Sequence, residues 1–97
     1  MNKIQVLDCT LRDGGYCNDC RFGFGNEKKI VHGLVDANID IIECGFLVNT
    51  VEYDRDITKF TSLDEVAQII PKNKEGKTFV MLTDYGKYCP EELPKYD

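Results

Sequence analysis

The sequence places many reactive side chains directly after a short apolar run near its N-terminus. In VLDCTLRDGGYCNDC, residues 6–20, the side chains that could bind a cation, move a proton or act as a nucleophile are Asp8, Cys9, Thr10, Arg12, Asp13, Tyr16, Cys17, Asp19 and Cys20. A Gly-Gly pair in the middle lets the backbone turn. Carboxylates can bind a hard divalent cation, and thiolates can bind zinc or form a redox pair. The segment is therefore a candidate metal site, cysteine site or polar turn.

Two further carboxylates, Glu43 and Asp84, lie near the ends of later apolar runs. The carboxyl ends of parallel strands share one edge, where the active sites of barrels and open α/β sheets form. An arginine among carboxylates keeps them ionised and can bind a substrate carboxylate through two hydrogen bonds. The alternative, a turn ion pair between Arg12 and Asp13 with Glu43 satisfied by the backbone, stays open. Burying an unpaired charge is costly, so Glu43 needs a partner, a metal or an opening.

Hydrophobic period and turn residues predict the elements that position these side chains. The predicted elements begin with a strand over 3–10, a loop over 11–25, and a helix that has Asn26 as N-cap and Glu27 as a first-turn charge and ends near Asn38. A strand over 39–46 and a charge-rich loop over 47–61 follow. The remaining elements are a helix that begins with a Ser62–Glu65 capping box and stops at Pro71, a strand over 78–86 and a helix start at Pro90. This β-α-β-α-β order predicts right-handed crossovers and a parallel sheet. Strands that are apolar almost throughout are typical of such a sheet, since both of its faces are buried.

The chain of 97 residues is short for this architecture. Three parallel strands and two helices leave sheet edges open and one sheet face poorly covered, which parallel sheets rarely tolerate. We therefore expect residues 1–97 to be the N-terminal βαβαβ portion of a larger α/β domain. The alternative is that several chains assemble to cover the sheet.

Composition and charge restrict the partners and the compartment. Hydrophobic residues make up 42% and charged residues 30%, which is typical of a folded globular protein. A net charge of −5 argues against a nucleic-acid partner, because a phosphate-binding surface needs clustered Lys and Arg. No apolar run approaches the roughly 20 residues that cross a bilayer, and the N-terminus has no signal-peptide pattern. We expect no membrane association and a cytoplasmic location.

The cysteine pattern gives a hypothesis of another class. The five cysteines are Cys9, Cys17, Cys20, Cys44 and Cys89, and an odd number without a signal peptide argues against a disulfide framework. Cys17 and Cys20 have C-x-x-C spacing and, with Cys9, could form a non-catalytic zinc or thiol module. No second C-x-x-C or nearby histidine completes such a site, and Asp19 disfavours a thiolate beside it. Inert loop cysteines are the simpler interpretation.

Two segments together resemble a known superfamily. LDCTLRDGG and IDIIECGF are similar to the DRE-TIM metallolyases, which include 4-hydroxy-2-oxovalerate aldolase, 3-hydroxy-3-methylglutaryl-CoA lyase and the isopropylmalate and citramalate synthases. The opening motif of that superfamily, D-x-T-L-R-D-G, matches residues 8–14 without a gap. A second motif, I-E-x-G, matches residues 42–45. The resemblance covers roughly the first half of the chain.

The resemblance implies a (β/α)8 TIM barrel that binds Mn²⁺ or Mg²⁺. It implies that a carbon–carbon bond of a small 2-oxo acid is cleaved or formed through a metal-bound enolate. Carried over by position, Asp13 is a metal ligand beside the substrate, and Arg12 binds the substrate carbonyl and stabilises the enolate. Glu43 matches a position near metal and substrate, and Asp8 matches one that orients the loop.

The chain departs from the superfamily pattern at two points. The aldolase branch has a catalytic histidine base where this chain has Tyr16. In that catalytic position a tyrosine needs strong help to act as a base near neutral pH, and it could instead donate a hydrogen bond to an oxyanion or hydroxyl. The other metal ligands come from a late H-x-H pair, whereas the single histidine here, His32, falls on the first predicted helix. We expect those ligands beyond Asp97, and we expect the 97 residues alone to be inactive.

Several branches of the superfamily remain open. The R-D-G-G-Y sequence favours an aldolase that acts on a 4-hydroxy-2-oxo acid. The alternatives are an acyl-CoA lyase, a 2-oxo acid condensing enzyme, and an aldolase-like protein that has lost catalysis. A homo-oligomer or a partner enzyme is a further expectation.

Overall fold

The computed structural model describes residues 4–73 and 76–83. Its elements are β1 (Leu7–Asp8), a 3₁₀ helix (Asp13–Cys17), α1 (Phe24–Asp36), β2 (Ile41–Leu47), β3 (Lys59–Phe60), α2 (Leu63–Ala67) and β4 (Thr78–Leu82). The predicted β-α-β-α-β order is confirmed, with β3 as an additional short strand in a segment expected to be a loop. The 3₁₀ helix lies in another segment predicted as loop. Asp84 and the helix start at Pro90 lie outside the described residues.

The four strands form one sheet around β2. Strand β2 pairs in parallel with β1 through Leu7 and Ile41, with β3 through Lys59 and Phe46, and with β4 through Thr78 and Ile41. The parallel sheet predicted from the sequence is therefore confirmed. The arrangement is that of a partial βαβ portion of a TIM barrel.

Two apolar clusters lie against this sheet. The cluster that includes both helices contains Leu11, Val31, Val35, Ile42, Cys44, Phe60, Val66 and Ile69. A smaller cluster contains Cys20, Phe46 and Val48, with Ile57 and Leu82 packed against it. Since β2 contributes Ile42 and Cys44 to one cluster and Phe46 to the other, it is buried on both faces.

A bulge in β2 determines which of its side chains share a face. Glu43 pairs with Val80 and Phe46 with Leu82, so three steps along β2 match two steps along β4. One extra residue therefore interrupts the alternation of side chains. As a result, Glu43 and Phe46 point to the same side of the sheet, whereas an unbroken strand would place them on opposite sides.

The bulge depends on a close contact between Gly45 and Thr58. Gly45 has a φ of +145°, and a Cβ there would collide with the carbonyl oxygen of Thr58 and lie 2.9 Å from its Cβ. Thr58 is fully buried, and its carbonyl accepts a hydrogen bond of 2.9 Å from the N–H of Phe46. Its own N–H donates to the Cys20 carbonyl at 3.0 Å, and its hydroxyl donates to the Leu11 carbonyl at 2.7 Å. Thr58 thus joins three chain segments beside the bulge.

The start of α1 differs from the prediction. The N-cap is Gly23, and the side chain of Asn26 instead donates to the carbonyl of Phe22 at 2.9 Å. The N–H of Phe24, which has no acceptor within the helix, donates to Asp56 Oδ1 at 2.9 Å, so a carboxylate 32 residues away caps the helix. The predicted end is confirmed, because Asn38 has a φ of +64° directly after the helix.

Glu27 in the first turn of α1 is fully buried, and neither carboxyl oxygen has a hydrogen bond among the described residues. Burial, with the nearby negative charges of Asp56 and Asp54, raises the pKa of Glu27 to about 8. Glu27 is therefore mostly protonated at neutral pH, and the expectation of a negative charge in the first turn is wrong. The hydroxyl of Tyr53 is also buried and has no hydrogen-bond partner among the described residues. Burial, and next the carboxylate of Glu27 once it is ionised, raise the pKa of Tyr53.

The capping box of α2 is displaced by one residue. Ser62 is the N-cap, but its side chain makes no capping hydrogen bond. Glu65 instead accepts hydrogen bonds from the N–H and the hydroxyl of Thr61, at 2.7 and 2.6 Å. The helix ends at Ala67, earlier than Pro71 implied.

Replacing Gly45 by alanine should strongly destabilise the fold. The added methyl meets the Thr58 backbone, and alanine also disfavours the positive φ, so we expect a loss of unfolding free energy above about 2 kcal/mol. Gly33→Ala is the matched control, because Gly33 lies within α1 with no atom near its added methyl. That control should stabilise by up to about 1 kcal/mol. Urea unfolding measures both, and equal effects of the two variants would contradict the role of the contact.

Glu27→Gln should change how stability depends on pH. The pKa of Glu27 is raised in the fold from its ordinary value of 4.5 to about 8, so the unfolded chain loses its proton first. Stability of the wild type should therefore fall as pH rises through that window, by at most about 1.4 kcal/mol per pH unit. Gln imitates the protonated side chain and should remove this slope. Urea unfolding at several pH values tests this, and identical slopes for both proteins would refute it.

Candidate active site

A tight turn after β1 presents Arg12 and Asp13. The carbonyl of Cys9 accepts hydrogen bonds from the N–H groups of Arg12 at 3.1 Å, Asp13 at 2.8 Å and Gly14 at 3.4 Å. These contacts continue into the 3₁₀ helix, so Arg12 and Asp13 lie at its first turn. The backbone of the motif is thereby fixed by its own hydrogen bonds.

Neighbouring side chains hold both ends of this turn. Asp8 accepts hydrogen bonds from the N–H of Thr10 at 2.9 Å and from its hydroxyl at 3.0 Å. Leu11 is fully buried in the core, and its carbonyl accepts the hydroxyl proton of Thr58. Asp8 therefore shapes the turn, while Leu11 anchors it to the sheet.

Arg12 and Glu43 form a two-pronged ion pair. Arg12 Nε donates to Glu43 Oε1 at 2.7 Å, and Nη2 donates to Oε2 at 3.3 Å. The Glu43 side chain is only 8% exposed, so the partner expected for this buried charge is Arg12. The hydrogen bond to Glu43 raises the pKa of Arg12, against the opposing effect of desolvation. Glu43 thus occupies Nε and Nη2, and the remaining nitrogen, Nη1, lies 3.5 Å from Asp13 Oδ1.

Asp13 is the open carboxylate of the turn. Its side chain is 62% exposed, and its contact with Arg12 Nη1 is 3.5 Å long. A hard cation could therefore reach its oxygens, whereas both oxygens of Glu43 are occupied by Arg12. Within residues 4–73 and 76–83, no three His, Cys, Asp or Glu side chains converge on a metal position. Asp13 could contribute one ligand oxygen to a hard divalent cation, and the described residues do not complete a ligand set.

Tyr16 lies at a cavity on the same face of the sheet as Glu43. The side chain is 71% exposed, and its ring packs edge-on against Phe46, with 6.2 Å between the ring centroids. The cavity has a volume of about 320 Å³. Its lining residues are Gly15, Tyr16, Asp19, Cys20, Phe46, Val48, Thr50, Val51 and Lys59. Tyr16 can therefore contact a molecule that binds in the cavity.

The cysteines do not form the zinc module considered as an alternative. Cys17 is exposed, whereas Cys20 is buried with its sulfur tight against Gly15, where an added Cβ would lie 2.5 Å away. Cys9, Cys17 and Cys20 are not a metal-binding group in the part of the chain that the structure describes. Burial raises the pKa of Cys44 to about 12, so that thiol is inert. His32 is exposed on α1, as predicted.

Sequence reasoning missed Gly45, Thr58 and Lys59. Gly45 was recognised as part of the second motif, but the bulge that needs it was not predicted. The segment containing Thr58 and Lys59 was assigned to a loop. The alternating pattern ITKF, residues 57–60, was the available signal for a short strand.

Comparison with known proteins gives partial similarity to one enzyme. A 2-isopropylmalate synthase of Salinibacter ruber is 30% identical over 61 residues, which are 63% of this chain and 11% of that synthase. The synthase of Nitrobacter hamburgensis is 36% identical over 50 residues, 52% of this chain and 10% of the synthase. That of Staphylococcus saprophyticus is 42% identical over 45 residues, 46% of this chain and 9% of the synthase. The chain resembles part of a 2-isopropylmalate synthase.

This similarity supports the expected superfamily at a coarse level. 2-Isopropylmalate synthase belongs to the DRE-TIM superfamily that the two motifs indicated. The chain spans about a tenth of the length of these synthases. No protein-family model and no solved structure matches the chain. Among the described residues, no helix is long and apolar enough to cross a membrane.

Proposed function

We propose that this chain is the N-terminal part of a TIM-barrel enzyme that cleaves or forms a carbon–carbon bond of a 2-oxo acid with the help of a divalent cation. The observation that carries the proposal is the Arg12–Glu43 pair beside the open carboxylate of Asp13. The partial similarity to 2-isopropylmalate synthases supports it independently.

Arg12 binds the oxygen on which negative charge develops. Glu43 holds the guanidinium through Nε and Nη2, which leaves Nη1 as a donor of fixed orientation. A preorganised cationic donor of this kind stabilises an enolate oxygen without reorganising during the reaction. Glu43 acts through Arg12 as a positioning residue, because both of its oxygens are already hydrogen-bonded.

Asp13 holds the divalent cation, Mn²⁺ or Mg²⁺. Such a cation acts as a Lewis acid that polarises the carbonyl group of the 2-oxo acid. Before any cation binds, Arg12, Glu43 and Asp13 together carry a net charge of −1, which favours cation binding at the exposed carboxylate. Ligands from beyond the described residues complete its coordination.

Tyr16 serves the proton transfer at the substrate hydroxyl. In aldol cleavage the hydroxyl at C4 loses its proton, the C3–C4 bond breaks, and its electron pair forms the enolate of the 2-oxo acid. An aldehyde leaves. The exposed hydroxyl of Tyr16 at the cavity can donate a hydrogen bond to the substrate oxygen, or accept the substrate proton while it passes its own phenolic proton to solvent.

The finer assignment is an aldolase that acts on a 4-hydroxy-2-oxo acid. The R-D-G-G-Y turn, which places Tyr16 at the cavity, supports it. The second candidate is a condensing enzyme that joins an acyl-CoA to a 2-oxo acid, and the similarity to 2-isopropylmalate synthases favours that candidate. Product analysis with both substrate pairs, each with Mn²⁺ and with a chelator, distinguishes the two activities.

Asp13→Asn in the full protein should abolish the metal-dependent reaction. Asparagine keeps the shape of the side chain but removes the ligand charge, so we expect kcat/KM to fall by at least about a hundredfold and Mn²⁺ affinity to fall with it. Turnover and calorimetric Mn²⁺ titration measure these effects.

Asp36→Asn is the matched control for this substitution. Asp36 is an exposed carboxylate at the end of α1, so its loss should leave turnover and Mn²⁺ affinity unchanged. Full activity and full Mn²⁺ binding in the Asp13 variant would refute the proposed role of Asp13.

A further inference from the structure

The cavity beside Tyr16 is lined in part by β2 and the 3₁₀ helix, the two elements that carry Glu43 and Asp13. Because of the bulge, Phe46 faces the same side of the sheet as Glu43. Gly15 and Tyr16, on its other wall, belong to the 3₁₀ helix that begins at Asp13. A molecule that reaches Arg12 and Asp13 from this face can therefore extend into the cavity.

The cavity combines an apolar wall with a few polar groups. Phe46, Val48 and Val51 give the apolar surface, and Tyr16 and Thr50 contribute hydroxyl groups. A volume of about 320 Å³ accommodates a short chain of several carbon atoms. These features fit an amphipathic small molecule better than a free ion.

Lys59 supplies the positive charge of the cavity. It pairs with Phe46 across the strands, which places both side chains on the same face. Within the part of the chain that the structure describes, its ammonium has no hydrogen bond or ion pair. Arg12, in contrast, contacts the two carboxylates of Glu43 and Asp13. Lys59 is therefore the cation of this cavity that is available to bind an anionic group of a bound molecule.

Asp19 also lines the cavity and weakens the attraction between Lys59 and an anion. Its carboxylate repels an anion, so its presence reduces the affinity that Lys59 provides. The two residues thus make opposite contributions, and variants of each should change anion binding in opposite directions.

We propose that the cavity binds the end of the substrate that is remote from the reacting carbons, and that Lys59 binds an anionic group, carboxylate or phosphate, at that end. The identity of the bound molecule as the substrate rests on the proposed function. The preference of the cavity for a short apolar chain with an anionic end does not depend on catalysis.

A binding experiment with simple probes tests this preference without turnover. Pentanoate, pentyl phosphate and 1-pentanol each contain five carbon atoms in a chain and differ in the terminal group, which is a carboxylate, a phosphate or an uncharged hydroxyl. We expect the two anions to shift the NMR signals of Phe46 and Val48 in the full protein, with affinities about fivefold to tenfold above that of 1-pentanol. Tighter binding of either anion assigns carboxylate or phosphate as the natural group.

Variants of the lining residues complete the test. Lys59→Gln should lower the affinity for both anions to that of 1-pentanol, Lys59→Arg should retain it, and Asp19→Asn should raise it. Asparagine tolerates the positive φ of 55° at residue 19, so that variant should fold. Lys72→Gln, at an exposed lysine outside the cavity, should change nothing.

The outcomes separate this inference from the proposed function. Equal binding of pentanoate and 1-pentanol, or unchanged anion affinity in Lys59→Gln, would overturn the role of Lys59 even if the enzyme turns over 2-oxo acids. Anion binding that depends on Lys59 supports the inference, and it does so even in a protein without metal-dependent turnover, where only the proposed function fails.

Discussion

The close approach of Gly45 to the backbone of Thr58 is the constraint on which the rest of the structure depends. It requires a residue without a side chain in the middle of a buried strand, and it inserts the extra residue that brings Glu43 and Phe46 to one face. The hydroxyl and the N–H of Thr58 donate hydrogen bonds to the carbonyls of Leu11 and Cys20, respectively. Thr58 therefore fixes the loop that carries the reactive side chains to the sheet, together with the Arg12–Glu43 ion pair.

The electrostatic arrangement of the site follows from this geometry. Glu43 is buried and needs a cation, and Arg12 on the anchored loop supplies one through two hydrogen bonds. That pairing leaves Asp13 exposed and negative, and it leaves Lys59 as a cation without a partner among the described residues. In the function proposed above, Asp13 and Lys59 serve as separate positions for a metal ion and for an anionic substituent of the substrate.

Local sequence patterns predicted the features that depend on neighbouring residues. Apolar runs and the helical period of apolar residues predicted the parallel βα order. The free-energy cost of burying an unpaired charge predicted that Glu43 has a partner. Features that depend on distant residues were not predicted. Asp56 caps α1 from a loop 32 residues away, and the burial of Glu27 is set by the tertiary packing around α1. The bulge, likewise, requires knowledge of what lies opposite Gly45.

Paramagnetic broadening by Mn²⁺ tests the central claim most directly, because it locates the cation relative to the sheet. With Mg²⁺ as the diamagnetic reference, the strongest broadening of amide signals should centre on Asp13 and Gly14, extend to Glu43, and disappear in Asp13→Asn. Broadening that centres on Asp54 and Asp56, or that persists in the Asp13 variant, would contradict a metal position on this face.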